Sequence, residues 1–163
     1  MIELPAALRD SVRLLWRGHE TVDDRWAEAA REIPGGFAGK ILEGGLVVFL
    51  VDTTQRDAAL AALAARNGLV GRDPSRVRVR KARWNYVQLL DWYHYLGLHV
   101  WREGGVVTSD IDEEHNSITY GVKDESGRRR LERLLAELRP PPPCFLVKIE
   151  VVGPIQLWER HAR

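Results

Sequence analysis

Cysteine is all but missing from this chain of 163 residues: Cys144 stands alone, so no disulfide can close within it. A lone thiol that follows four prolines and opens an apolar strand reads as a buried structural side chain in a reducing, cytoplasmic setting. No histidine lies close to it in sequence to act as a base. Charge of one sign is missing too. Lys and Arg number 24 against 23 Asp and Glu, which leaves +1, so no global field recruits nucleic acid or anionic lipid. No apolar run approaches the length of about 18 residues that spans a membrane. The start, Met1 to Pro5, lacks the basic region and apolar core of a signal peptide.

Chemical motifs are equally scarce. His94 and His99 are five residues apart, off the i, i+4 spacing of a helical metal pair. No carboxylate completes a zinc-type ligand set with His19, His115 or His161. The serines Ser11, Ser75, Ser109, Ser117 and Ser126 all fall in caps, turns or strands, and none occupies a G-x-S-x-G elbow. Gly35 to Lys40 lacks the spacing and the Ser or Thr of a phosphate loop. The reading is a non-enzyme without metal or cofactor.

What is present is ordinary globular composition, 45% apolar and 29% charged, on a chain long enough to bury a core without staples. Leu4, Leu8, Val12 and Leu15 predict a first helix, stopped at Gly18. Thr21-x-x-Asp24 predicts a capping box, with Val22, Trp26, Ala29 and Ile33 as the apolar stripe of a second. Then the chain repeats itself. Val47 to Val51, followed by Leu60 and Leu63, recurs about 70 residues later as Ile118 to Val122, followed by Leu131 and Leu134. The first copy reads as strands 37–42 and 46–51 around Glu43-Gly44-Gly45, an Ala-rich helix 54–66 and a strand 76–80. A linking helix runs from the cap Asn85 to Leu96, before Gly97. The second copy reads as strands 106–111 and 117–122 around the acidic turn 112–116. A helix with the stripe Leu131, Leu134, Leu135, Leu138 and a strand 145–152 complete it.

The expected organisation is an α+β protein of two related β-β-α-β units with small, antiparallel-rich sheets, preceded by an N-terminal helical pair. The segments are 1–36 (helical), 37–84 (first unit), 85–105 (linking helix and loop), 106–153 (second unit) and 154–163 (tail).

The strongest surface signal is basic. Arg76, Arg78 and Arg80 alternate with Val77 and Val79, so the arginines share the wet face of a strand. Lys81, Arg83 and Trp84 follow, and basic residues interleaved with an aromatic suit a single-stranded nucleic acid. The alternative is a solvated face paired with nearby carboxylates. Trp158, in the tail, is either docked on the chain itself or offered to a partner. The candidate partner-binding residues are therefore Arg76, Arg78, Arg80, Arg83, Trp84 and Trp158. Asp110, Asp112, Glu113 and Glu114 read as a solvated turn, because a calcium loop would need a Gly and a distant Glu.

Phe37-Ala38-Gly39 with its strand pair leads into Val77 to Trp84 and a Tyr-headed helix. With the second half from Asp112 to Val122, the pattern resembles the duplicated α/β pro-regions of bacterial secreted serine proteases of the alpha-lytic or streptogrisin type, and stand-alone bacterial proteins of that pattern. The resemblance covers about Phe37 to Gly153 and rests on hydrophobic spacing and a turn. It implies a protein-interaction module, chaperone- or inhibitor-like, that offers sheet surfaces to another protein. The alternatives are an RNA- or ssDNA-binding module using 76–84 and an enzyme whose polar groups converge only in three dimensions. Neither the partner nor the oligomeric state is legible in the residues.

Overall fold

The computed structural model describes residues 3–16, 21–67, 74–102, 105–138 and 146–153. Cys144, the proline run, Gly18 and Trp158 lie outside them. In chain order the elements are α1 (Ala6–Trp16), α2 (Val22–Glu32), β1 (Phe37–Leu42), β2 (Leu46–Leu50), α3 (Arg56–Asn67), β3 (Arg78–Lys81), α4 (Tyr86–Val100), β4 (Val106–Asp112), β5 (Ser117–Val122), α5 (Glu125–Leu138) and β6 (Val147–Val151). The α+β class holds, with five helices and two mixed sheets of three strands, β1-β2-β3 and β4-β5-β6.

Each sheet pairs its hairpin antiparallel. A crossover helix then brings the third strand back parallel to the middle one. Local chemistry repeats at both crossovers. Asp52 accepts from the Thr54 N–H (3.0 Å) and hydroxyl (2.7 Å), and Asp124 accepts from the Gly127 N–H (2.8 Å). These carboxylates satisfy donors that a helix start leaves open. Arg56 donates to the carbonyl of Val77 (3.3 Å), and Arg128 to that of Ile149 (3.1 Å).

Both hairpins skip one residue, between Phe37 and Gly39 in β1 and between Val106 and Thr108 in β4. Aligned on these bulges, Leu50 matches Val122 and Val48 matches Tyr120. All four belong to the main core. The sequence alignment of Val47 with Ile118 is therefore one residue out. In a strand that error exchanges the two faces. Val47 and Phe49 sit in a separate small cluster with Ala38 and Ala82, on the far side of the sheet.

The segment expected to link the two halves is the centre of the molecule. Tyr86, Leu89, Leu90, Trp92, Leu96 and Val100 are all buried, and α4 packs against α1, α2, α5, β1, β4 and β5. Its start is reciprocal: Asn85 accepts from the Gln88 N–H (2.9 Å) and Gln88 accepts from the Asn85 N–H (3.0 Å). Its end is later than expected. Gly97 does not stop the helix; it lies inside it, where the rings of Trp16 and Trp101 approach.

The first two helices differ from their predicted stripes. On α1, Val12 is buried while Leu8, Leu14 and Leu15 stay exposed, Leu15 by 65%. On α2, Ala27 and Ala30 face the core and Val22 faces solvent. The third strand of the first sheet is also shorter than expected. Residues 74–76 form a 3-10 turn, so Arg76 stands before β3 rather than on it.

Candidate functional site

The basic residues singled out in sequence do not form one free stripe. Register sets Arg78 beside Val47 and Arg80 beside Phe49 on the outer face of the first sheet. Both guanidinium groups turn to one carboxylate, that of Glu43 in the β1–β2 turn, at 3.4 Å and 2.6 Å. Arg78 also donates to the Glu43 carbonyl. Long arginine stems cover apolar surface while their heads stay wet. That explains why Val47 and Phe49 are almost fully buried, Phe49 at 3% exposure, on a face that carries no helix. Pairs this open contribute about 0–1 kcal/mol each. Trp84, whose neighbouring apolar periodicity also suits a core anchor, is 8% exposed and belongs to the core, which leaves little of its ring for a base to stack on.

The β4–β5 turn is solvated only in part: Glu114 and His115 are exposed, whereas Asn116 docks on the first half. Asn116, 8% exposed, adopts φ 54° and directs its amide into the β3–α4 connection. Its oxygen accepts from the backbone N–H of Arg83 (2.8 Å) and of Trp84 (2.7 Å), and its nitrogen donates to the Trp84 carbonyl (2.9 Å). Beside it, Glu113 lies directly over Gly39 of β1. A Cβ on Gly39 would fall 2.3 Å from the Glu113 side chain, and Gly39 itself has φ 123°. A glycine is needed there on both counts. By contrast Gly44 and Gly45, the matching turn of the first hairpin, have open space around them.

On one side of the docked turn, carboxyl groups gather. Asp23 accepts from the Tyr86 hydroxyl at 2.7 Å. Burial, reinforced by Asp110, Asp23 and Asp112, raises the Glu113 carboxyl above its ordinary value. Burial likewise raises Asp110, with Asp23 and Asp112 adding to it. Burial above all, and then the bond to Asp23, holds the Tyr86 phenol protonated.

On the other side is a groove of about 340 Å³, lined by Phe49, Lys81, Ala82, Arg83, Glu114, His115 and Asn116. Asp112 orients its histidine: one oxygen accepts from the His115 N–H (2.9 Å) and the other meets Nδ1 at 2.8 Å. This fixes the ring and leaves Nε2 as its outward atom. An oriented imidazole can serve as a base or as a donor to an anion. Ser117, next but one in the chain, is 8% exposed, and its hydroxyl makes no hydrogen bond among the described residues. Asp112, His115 and Ser117 therefore do not form a connected nucleophile.

A second cavity of about 260 Å³ separates α1, α2 and α4. There His94 stacks on Trp16 with ring centres 4.6 Å apart, and its Nε2 lies 3.9 Å from Asp24. Burial lowers the His94 pKa against the pull of Asp24, Asp91 and Asp23. Among the described residues no three His, Cys, Asp or Glu side chains converge as a metal would need. No helix among them is long and apolar enough to cross a membrane.

Sequence reasoning missed Asn116 and the Asp112–His115 pair. The signal for the first was available: asparagine is the commonest non-glycine residue in left-handed backbone, and it closes this turn. No family model matches the chain, and no curated protein shows significant similarity to it.

Proposed function

We propose that this chain is a protein-binding module assembled from two copies of one β-β-α-β unit, in the manner of secreted-protease pro-regions. Support for two copies comes from positions rather than from the overall pattern: the paired bulges, the caps Asp52 and Asp124, and the arginines Arg56 and Arg128. The observation that carries the binding reading is the place of β3 and β6. Each is the last strand of its sheet, with no neighbour on its outer side among the described residues. An open edge presents a row of backbone N–H and C=O groups that an extended segment can pair with.

The nucleic-acid reading loses its aromatic platform with Trp84 in the core, and Glu43 engages Arg78 and Arg80. The enzyme reading has the Asp112–His115 pair in its favour, but no nucleophile bonded to that ring among the described residues.

The test is a titration of an active, streptogrisin-type secreted serine protease with the purified chain. Stoichiometric inhibition, or faster recovery of activity from unfolded protease, is the expected result. Full protease activity at tenfold molar excess, with no gain in refolding, rejects the pro-region-like role.

A further inference from the structure

We infer that the cavity between α1, α2 and α4 is a binding site for a small alkylammonium ion. The sheet edges offered to a protein partner play no part in it.

Three helices bring the wall together at helical spacing. Asp24, Glu28 and Arg31 follow at i, i+4 and i+7 on α2, Asp91 and His94 lie one turn apart on α4, and Trp16 ends α1. The observation that points to a ligand is His94. Its side chain is only 6% exposed and lines the cavity, yet neither ring nitrogen makes a hydrogen bond among the described residues. Asp24 Oδ1 stands 3.9 Å from Nε2, beyond hydrogen-bond reach. Buried polar groups are normally satisfied, so the open nitrogen and the open oxygen mark a place that a donor can fill. Asp24 holds the start of α2 with its other oxygen alone, which accepts from the Thr21 N–H (2.7 Å) and hydroxyl (3.0 Å). Oδ1 is thereby left to the cavity.

Charge and lining select the ligand. Arg13 and Asp91 neutralise each other at 3.2 Å. Asp24 and Glu28 against Arg31 leave one negative charge on the wall, which suits a monocation. The acceptors Asp24 and Asp91 are partly buried, while Arg13 and Arg31 lie exposed at the rim. Burial lowers the His94 pKa, so at pH 7 the ring is neutral and offers an acceptor rather than a competing charge. An ammonium has three donors to share among such acceptors. Ala27, Leu90 and the stacked rings of Trp16 and His94, 4.6 Å apart, supply apolar wall for a short carbon chain. A volume of about 260 Å³ falls below the roughly 300–1,000 Å³ of drug-sized ligands and favours a small free amine.

The experiment is an NMR titration of the ¹⁵N-labelled full chain at pH 7 with n-butylammonium, butan-1-ol, butyrate and Nα-acetyl-lysine methylamide. Butylammonium is expected to shift the Trp16 indole N–H and the amides of Ala27 and His94 saturably. The alcohol and the carboxylate should bind at least about tenfold more weakly, since neither brings a charged donor. The lysine derivative should also bind more weakly than the free amine. Glu28→Gln should weaken butylammonium and Arg31→Gln should tighten it, each about threefold, as expected for charges at an open rim. Butan-1-ol or butyrate binding as tightly as the amine, shifts that bypass Trp16 and His94, or no change with either substitution overturns the proposal. Tighter binding of the lysine derivative overturns the assignment to a free amine. Protease binding is measured separately and is expected to be unaffected by both substitutions, so failure of the amine leaves the module reading standing.

Discussion

Asn116 joins the two sheets through its side-chain amide. Three hydrogen bonds leave it for backbone that lies more than thirty positions earlier in the chain. Replacing it by Ala strips partners from buried N–H and C=O groups, each worth about 1–3 kcal/mol when left unsatisfied. Asn116→Ala should therefore lower unfolding free energy by about 2–4 kcal/mol in urea denaturation. Asn116→Gly tolerates φ 54° but lacks the amide, so it should lose nearly as much. A loss under about 0.5 kcal/mol for both would show that the docked turn is held by other contacts. Glu113 gives the opposite kind of test. Its carboxyl is raised in the folded protein, so the native state holds that proton more tightly than the unfolded chain does. Stability then falls as pH rises from the ordinary value of 4.5 through the raised one. Glu113→Gln should remove that part of the fall and raise Tm at neutral pH, while leaving Tm near pH 4 unchanged. A variant less stable than the parent at pH 7 would contradict the carboxylate crowding. The tight seat over Gly39, by contrast, left no trace in the residues. It depends on a contact between β1 and a turn some seventy positions on, which no local periodicity encodes.

At the scale of elements, the strands and the crossover helices were legible because their signals are local. Gly44-Gly45 marks one turn, Leu131 and Leu135 mark a buried helix face, and alternation marks β3. Register was not legible. Val47-Val48-Phe49 is apolar throughout, so the pattern gives no phase; the bulge decides which residues face the helices. α4 was underestimated for a related reason. Gly97 resembles a stop, but burial on nearly every side carries the helix through it. A Cβ at Gly97 would lie 3.9 Å from the nearest ring atoms, which is ordinary contact. Gly97→Ala should consequently stabilise the protein by up to about 1 kcal/mol through helix propensity. Thermal denaturation measures it, and a drop in Tm of several degrees would mean that the two tryptophan rings cannot yield.

For the whole molecule, the two sheets share one main core, one central helix and one docked turn, so they should unfold together. Far-UV circular dichroism and tryptophan fluorescence should report a single coincident transition. Two separated transitions would mean that the halves are independent and that the groove between them is not a fixed site. The candidate site lay beyond sequence reasoning at this scale, because Lys81 and Arg83 acquire their setting from Glu114 and His115 of the other half. Only the basic half of the groove was visible along the chain. The proposed binding role rests on the same arrangement, with helices gathered around α4 and the strands β3 and β6 left at the sheet edges. The most direct measurement is amide hydrogen exchange on the chain in complex with a streptogrisin-type protease. Slowed exchange is predicted along β3 or β6 and in the groove residues Ala82, Arg83 and His115. Protection confined to α1, around the exposed Leu8, Leu14 and Leu15, or no protection at all, would contradict it.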